Sequence, residues 1–249
     1  MKLSGNTILI TGGATGIGFV LAENFLKRGN QVLVCGRREE KLVEAKRQAP
    51  ELQTKVADIS NPDDRRLLAD WAISHGVNFL INNAGMQREI DLTRGIEALD
   101  EGDNEVRINL EGMIYLTTLF IPHLLKQKNA AILNVSSGLG FVPIVMMPVY
   151  CATKAAIHSF TISLRHQLSP EGISVFEIIP PTVDTELDRG ARARRGQAER
   201  GIPPQEIVAA VLNGMENDQP EIAIGVAANL VGAIKTPAFD QIFQRMNAR

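Results

Sequence analysis

The chain lacks the features that would assign it to several common classes. Among 249 residues there are two cysteines, Cys35 and Cys151, too few for a disulfide framework, so a reducing compartment is the expected setting. An excess of charge is missing too. The 26 Lys plus Arg stand against 28 Asp plus Glu, a net charge of −2, which gives no field to gather nucleic acid or an anionic membrane surface. No apolar run reaches the roughly 18 residues a membrane span requires, and Gly5, Gly12, Gly13, Gly16 and Gly18 interrupt the first twenty residues, where a signal peptide would need its apolar core. The expectation is a cytoplasmic protein with neither nucleic acid nor membrane as partner. His75, His123, His158 and His166 share no ligand spacing and read as packing or surface residues, so no metal is expected. With 45% of residues hydrophobic and 22% charged, the composition is globular, and the length allows one α/β domain.

Hydrophobic periodicity organises the rest. Residues 7–10 form a short apolar run stopped by glycine, and residues 19–28 follow with apolar positions at helical period. Residues 31–35 read as a second buried strand, because β-branched and apolar residues run there without alternation. Strands at 53–57, 78–81, 130–135, 173–179 and 221–224 then interleave with helices at 39–48, 63–74, 104–127, 149–168 and 204–216. Seven strands alternating with helices predict an α/β fold: one doubly wound parallel sheet with helices on both faces, Rossmann-like, forming a single domain over residues 1–249. Residues 187–201, rich in Arg, Ala and Gly, show no apolar period and are expected to be a substrate loop or lid.

Between the first strand and first helix lies Thr11-Gly12-Gly13-Ala14-Thr15-Gly16-Ile17-Gly18, where a phosphate-binding turn belongs. Glycines let the backbone approach a pyrophosphate, and the helix N-terminus beyond them offers unpaired N–H groups. The spacing G-x-x-x-G-x-G differs from the commoner G-x-G-x-x-G. After the second strand, where an NAD-binding chain would place an acid for the ribose hydroxyls, the sequence has Gly36-Arg37-Arg38. Two guanidiniums suit a 2′-phosphate, which favours NADP over NAD, with Glu39 or Glu40 at the ribose as the alternative. Asp58-Ile59 follows the third strand and either meets the adenine edge or caps a helix. Asn82-Asn83-Ala84-Gly85 follows the fourth strand and is either a structural turn or a cofactor contact.

Tyr150 and Lys154 stand four apart on a predicted helix and so share a face. A phenol titrates near pH ~10, and an adjacent ammonium favours the phenolate, bringing it towards working range. Ser136-Ser137 follows the fifth strand with hydroxyls that could hold a substrate oxygen. Cys151 points roughly 100° away from Tyr150 on a helix, which argues against a catalytic thiol.

Taken in order, the glycine octapeptide, the Asn82–Gly85 tetrapeptide and Tyr150-Cys151-Ala152-Thr153-Lys154 resemble the motifs of the short-chain dehydrogenase/reductase family over residues 3–187. The resemblance implies hydride transfer between nicotinamide and a carbonyl or alcohol carbon. It assigns Tyr150 as general acid/base, Ser137 rather than Ser136 as the oxygen-holding hydroxyl, Lys154 as pKa-lowering and ribose-binding amine, and Asn109 as part of a proton relay. For the cofactor it implies Gly12, Thr15, Gly16, Ile17, Gly18, Arg37, Arg38, Asp58, Ile59, Asn83, Ala84, Gly85, Tyr150, Lys154, Pro180, Val183 and Thr185. The family's Pro-Gly-x-Val-x-Thr stretch appears here as Pro180-Pro181-Thr182-Val183-Asp184-Thr185; proline at the glycine position removes an N–H and fixes φ. A homodimer or homotetramer on the two long helices is implied as well. The small-molecule substrate is expected to be apolar, because residues 138–149 include Leu139, Phe141, Val142, Ile144, Met146 and Met147; packing in the core or a subunit interface is the other reading. Arg189, Arg192, Arg194, Arg195 and Arg200 are read as solvated rather than anion-binding. A catalytically silent NADP-binding sensor or scaffold, and an epimerase or dehydratase on the same fold, are the alternative functions.

Overall fold

The computed structural model describes residues 1–187, 196, 201–234 and 245. Its first half winds as β1 (Thr7–Thr11), α1 (Gly16–Lys27), β2 (Gln31–Gly36), α2 (Glu39–Gln48), β3 (Gln53–Val56), α3 (Pro62–Ser74) and β4 (Phe79–Asn82). A 3-10 turn (Leu92–Arg94) and the short α4 (Glu97–Asp100) lead to a π-helical segment (Val106–Glu111) that runs into α5 (Gly112–Leu124). The second half comprises β5 (Ala131–Val135), α6 (Pro148–Leu168), β6 (Ser174–Ile179), α7 (Pro204–Glu216), β7 (Glu221–Ala223) and α8 (Val226–Ala233). All seven strands are parallel, in the order β3-β2-β1-β4-β5-β6-β7.

Alternation along the strands builds a core on each face. In β1, Ile8 and Ile10 pack with Val20, Leu21 and Phe25 of α1 and with Val208 and Val211 of α7. Leu9, between them, joins the opposite layer with Leu68 of α3, Leu116 and Phe120 of α5, and Leu164 of α6. Both faces are covered, so the strands read as continuous apolar runs, as the sequence indicated. Strand order reverses between β1 and β4, and their carboxyl ends diverge into the crevice where open parallel sheets bind ligands.

Three local departures have physical causes. The single helix expected over 104–127 is divided, because a π-turn lies at 106–111; it coincides with Asn109, whose side chain turns inward to bond Met86. Helix α3 is capped by Asn61, whose Oδ1 accepts from the N–H groups of Asp63 and Asp64, so Asp58 is not the cap. Helix α8, short and apolar, follows the last strand, where the sequence reading places no helix. Most of the expected substrate loop, 188–195 and 197–200, lies outside the described residues, as do Arg189, Arg192, Arg194, Arg195 and Arg200. Among the described residues no helix is long and apolar enough to cross a membrane.

Candidate active site

A cleft of about 870 Å³ opens at the carboxyl ends of the strands. One end is the turn between β1 and α1. Gly12 has φ +63, and a Cβ there would come within 2.9 Å of the Ala84 Cα, so only glycine lets this turn lie against the loop after β4. That loop is tied down in return. Thr11 Oγ1 accepts from the N–H groups of Asn83 and Ala84, and Asn83 Nδ2 donates to the carbonyls of Thr11 and Gly12. The Asn83 amide is therefore committed to backbone, while its residue still lines the cleft beside Ala84 and Gly85. Thr15 precedes α1 without a side-chain cap bond, and no acid stands in the first helical turn, so the helix N–H groups and positive dipole end face the cleft unopposed. This cradle fits a pyrophosphate.

Beyond the turn, Arg37, Arg38, Lys41, Asp58 and Ile59 form the cleft wall. Arg37 pairs with Asp103 at 2.8 Å and, at 3.8 Å, with Asp58; those contacts hold its guanidinium above the ordinary arginine range, the Asp103 bond contributing most. Arg38 and Lys41 both grip Glu186, at 3.1 and 2.7 Å, and that pairing lowers the Glu186 carboxyl below its usual range, Lys41 first. Lys41 and Glu186 were not anticipated from sequence. Lys41 sits three residues after Arg38, on the same side of the α2 start, a signal that was available.

At the other end, the hydroxyls of the two serines after β5 have different partners. Both line the cleft, but Ser136 Oγ donates to the buried Glu177 at 2.5 Å, whereas Ser137 Oγ accepts from the Leu139 N–H at 3.2 Å. Tyr150 and Lys154 project from the first turns of α6 into the same space, with Lys154 Nζ 5.7 Å from the Tyr150 ring centre. Lys154 is 5% exposed and donates to the Val135 carbonyl at 2.7 Å; burial pulls its ammonium down to about 8, and the negative charge of Glu177 opposes that shift. Gly140 makes this possible: a Cβ on it would lie 2.8 Å from the Lys154 carbonyl carbon, so the turn after Ser137 rests on the α6 backbone.

Two predicted site residues lie outside the cleft lining. Gly18 is buried beneath the turn, close to the Gly12 carbonyl. Asn109 is buried behind Gly85, its Oδ1 accepting from Met86 N and its Nδ2 donating to Met86 O and Thr153 Oγ1. Ile17, Gly16, Pro180, Val183 and Thr185 do line the cleft. Pro181 lines it too, and the neighbouring Pro180 carbonyl accepts from Gly138 N, binding the serine turn to the β6 exit. The apolar stretch after Ser137 divides: Leu139, Ile144, Met146 and Met147 face the cleft, while Phe141 packs with Ile179 and Ala227 in the core. Burial pushes the Cys35 thiol up to about 12 and raises that of Cys151, so neither is a thiolate nucleophile at neutral pH. His158 packs its ring on Phe141, centres 4.5 Å apart, as expected of it, and its Nδ1 also meets Glu177 at 2.9 Å. His158, Glu177 and Glu221 bring three ligand-type atoms within 4.8 Å of one another, but Glu177 and Glu221 already bond Ser136, His158 and Arg165.

A doubly wound sheet with an open helix N-terminus at its switch point, and a phenol, an amine and a hydroxyl gathered at the far end, defines a Rossmann-type enzyme. A family model described as short chain dehydrogenase matches residues 6–196, and the chain belongs to that family of oxidoreductases. A Bacillus subtilis (strain 168) protein described as "Uncharacterized oxidoreductase DltE" is 43% identical over 251 residues, spanning 100% of this chain and 99% of that one. Among solved structures, a short chain dehydrogenase from Burkholderia cenocepacia J2315 in complex with NADP matches with a TM-score of 0.82 at 26% identity, covering 100% of both chains. A 3-ketoacyl-(acyl-carrier-protein) reductase from Brucella melitensis complexed with NADH matches with a TM-score of 0.76 at 27% identity, covering 88% of this chain and 94% of that one.

Proposed function

We propose that the protein is an NADP(H)-dependent dehydrogenase/reductase acting on a carbonyl or alcohol of a small, largely apolar molecule. One observation carries this reading: Ser137, Tyr150 and the buried Lys154 open into the same cleft as the glycine turn and the Arg38–Lys41 cations. The turn and the α1 N-terminus would hold the pyrophosphate, Lys154 the nicotinamide ribose, and Arg38 with Lys41 a 2′-phosphate in place of the Glu186 carboxylate. The bound nicotinamide supplies hydride.

The residues of the chain handle the proton. In the reductive direction Ser137 directs its hydroxyl hydrogen at the substrate oxygen, its own lone pair being held by Leu139 N–H. Tyr150 gives its proton to that oxygen as negative charge develops, and the Lys154 ammonium favours the phenolate left behind. Asn109 supports the lysine end from behind Gly85, where its Oδ1 and Lys154 Nζ both approach the glycine. Leu139, Ile144, Met146 and Met147 exclude water from the reacting centre and shape an apolar pocket. NADP-bound and NADH-bound relatives both occur, so the preference for NADP rests on the cations and on the lack of an acid at the end of β2.

The test is NADPH oxidation, followed by absorbance, over a panel of aliphatic and aromatic ketones. Tyr150→Phe is expected to lose turnover by about two orders of magnitude or more while NADPH still binds. Absence of turnover by the native chain with every ketone, despite tight NADPH binding, would instead favour a silent cofactor-binding protein.

A further inference from the structure

Glu177 has no part in the chemistry above, yet it is a charged residue in β6 with no exposed surface. A carboxylate is costly to bury there unless donors and a positive charge meet it. Two donors do: Ser136 Oγ at 2.5 Å on one oxygen and His158 Nδ1 at 2.9 Å on the other, the imidazole hydrogen being placed on Nδ1 by this contact. Both donors belong to the elements that form the active site. Ser136 stands between Ser137 and Val135, and the Val135 carbonyl receives the Lys154 amine. His158 lies one helical turn beyond Lys154, which lies one turn beyond Tyr150, so the three share a face of α6.

The other charges around this group are few. From β7, Glu221 brings a carboxylate oxygen within 4.8 Å of the His158 and Glu177 ligand atoms, but it is partly exposed and paired with Arg165 of α6 at 3.5 Å. Lys154 itself faces Tyr150 on its own helix, Asn109 behind Gly85 and the Val135 carbonyl of β5. Among the described residues, Glu177 is the carboxylate whose charge acts on the buried Lys154 amine.

We propose that Glu177 is a positioning residue of this site: its carboxylate, fixed by Ser136 and His158, is the buried counter-charge that keeps the Lys154 amine an ammonium under working conditions. The inference rests on the role given to Lys154 above. The electrostatics act in the required direction, since burial disfavours the ammonium and the Glu177 charge restores part of it.

The test requires no turnover. In the full-length, cofactor-free chain labelled with 13C and 15N lysine, the Lys154 signal, assigned by its loss in Lys154→Arg, gives the midpoint of its titration. Glu177→Gln keeps the side-chain shape and an acceptor for Ser136 and is expected to lower that midpoint by about one pH unit. Ser136→Ala loosens the tether but leaves the charge, and it is expected to shift the midpoint far less. Should Glu177→Gln not fold, because its amide meets the imidazole N–H, the double variant Glu177→Gln with His158→Gln places two amides that can pair, and the same downward shift is expected. An unmoved midpoint in either folded variant overturns the proposal, as does an equal shift in Ser136→Ala. Failure of every ketone assay would count against the proposed reaction and leave the titration as informative as before.

Discussion

Burial of a single amine makes stability depend on pH in a direction opposite to that of most paired lysines. The folded Lys154 releases its proton near 8 against 10.5 for an ordinary lysine. Between those values the unfolded chain binds more protons than the folded one, so stability rises with pH across that window, and the penalty is fully present below it. The shift corresponds to about 3 kcal/mol. Relative to Lys154→Met, the native chain is expected to gain up to about 3 kcal/mol between pH 7 and pH 11, measured by urea denaturation at each pH; a constant gap would contradict it. Cofactor choice is also decided at this scale. Removing both cations with Arg38→Ala and Lys41→Ala is expected to raise the NADPH dissociation constant by about a hundredfold or more, since charge-assisted bonds are worth about 1.5–3 kcal/mol each. NADH, lacking the 2′-phosphate, is expected to change by less than about threefold in the same titration. Equal losses would remove the assignment of these side chains.

Among the elements, the relation between the β5 turn and α6 matters most. Ser137 belongs to one and Tyr150 and Lys154 to the other, and the bare Cα of Gly140 sets their separation, lying where a Cβ would press on the Lys154 and Ala155 backbone at 2.8–2.9 Å. Because that neighbour is main chain, no side chain can swing aside. Gly140→Ala is expected to destabilise the fold by about 1–3 kcal/mol and to lower kcat more than it weakens NADPH binding, as seen by comparing turnover with cofactor titration. Equal effects on both would mean that the turn does not set the catalytic spacing. The tyrosine–lysine spacing was legible from sequence because both residues lie on one helix, where period alone fixes the face. The π-turn before α5 was not, since hydrophobic periodicity carries no mark of one extra residue in a turn that bends to Asn109.

Considered as a whole molecule, the outward sides of α3, α5 and α6 expose Leu67, Tyr115, Leu119 and Ile162. The family resemblance implies a homodimer or homotetramer on the long helices, and an apolar surface there suits association of like chains. A dimer or tetramer is the expected species in sedimentation velocity, with Tyr115→Glu plus Ile162→Lys expected to sediment as monomer; a native chain that is already monomeric would refute the expectation.

Sequence by itself determined what depends on near neighbours: the alternating strands and helices, the glycine turn between β1 and α1, and the shared face of Tyr150 and Lys154. Those features follow from backbone period and local conformation, which a short stretch of chain contains in full. Tertiary structure alone decided that the hydroxyl of Ser136 is taken up by Glu177, 41 residues further along the chain. It also brought Glu186 onto Arg38 and Lys41, which lie 148 and 145 residues away in the chain, and joined the same Glu177 to His158. Such contacts depend on strand order and register across the sheet, and no local pattern encodes the partner that a distant strand will supply.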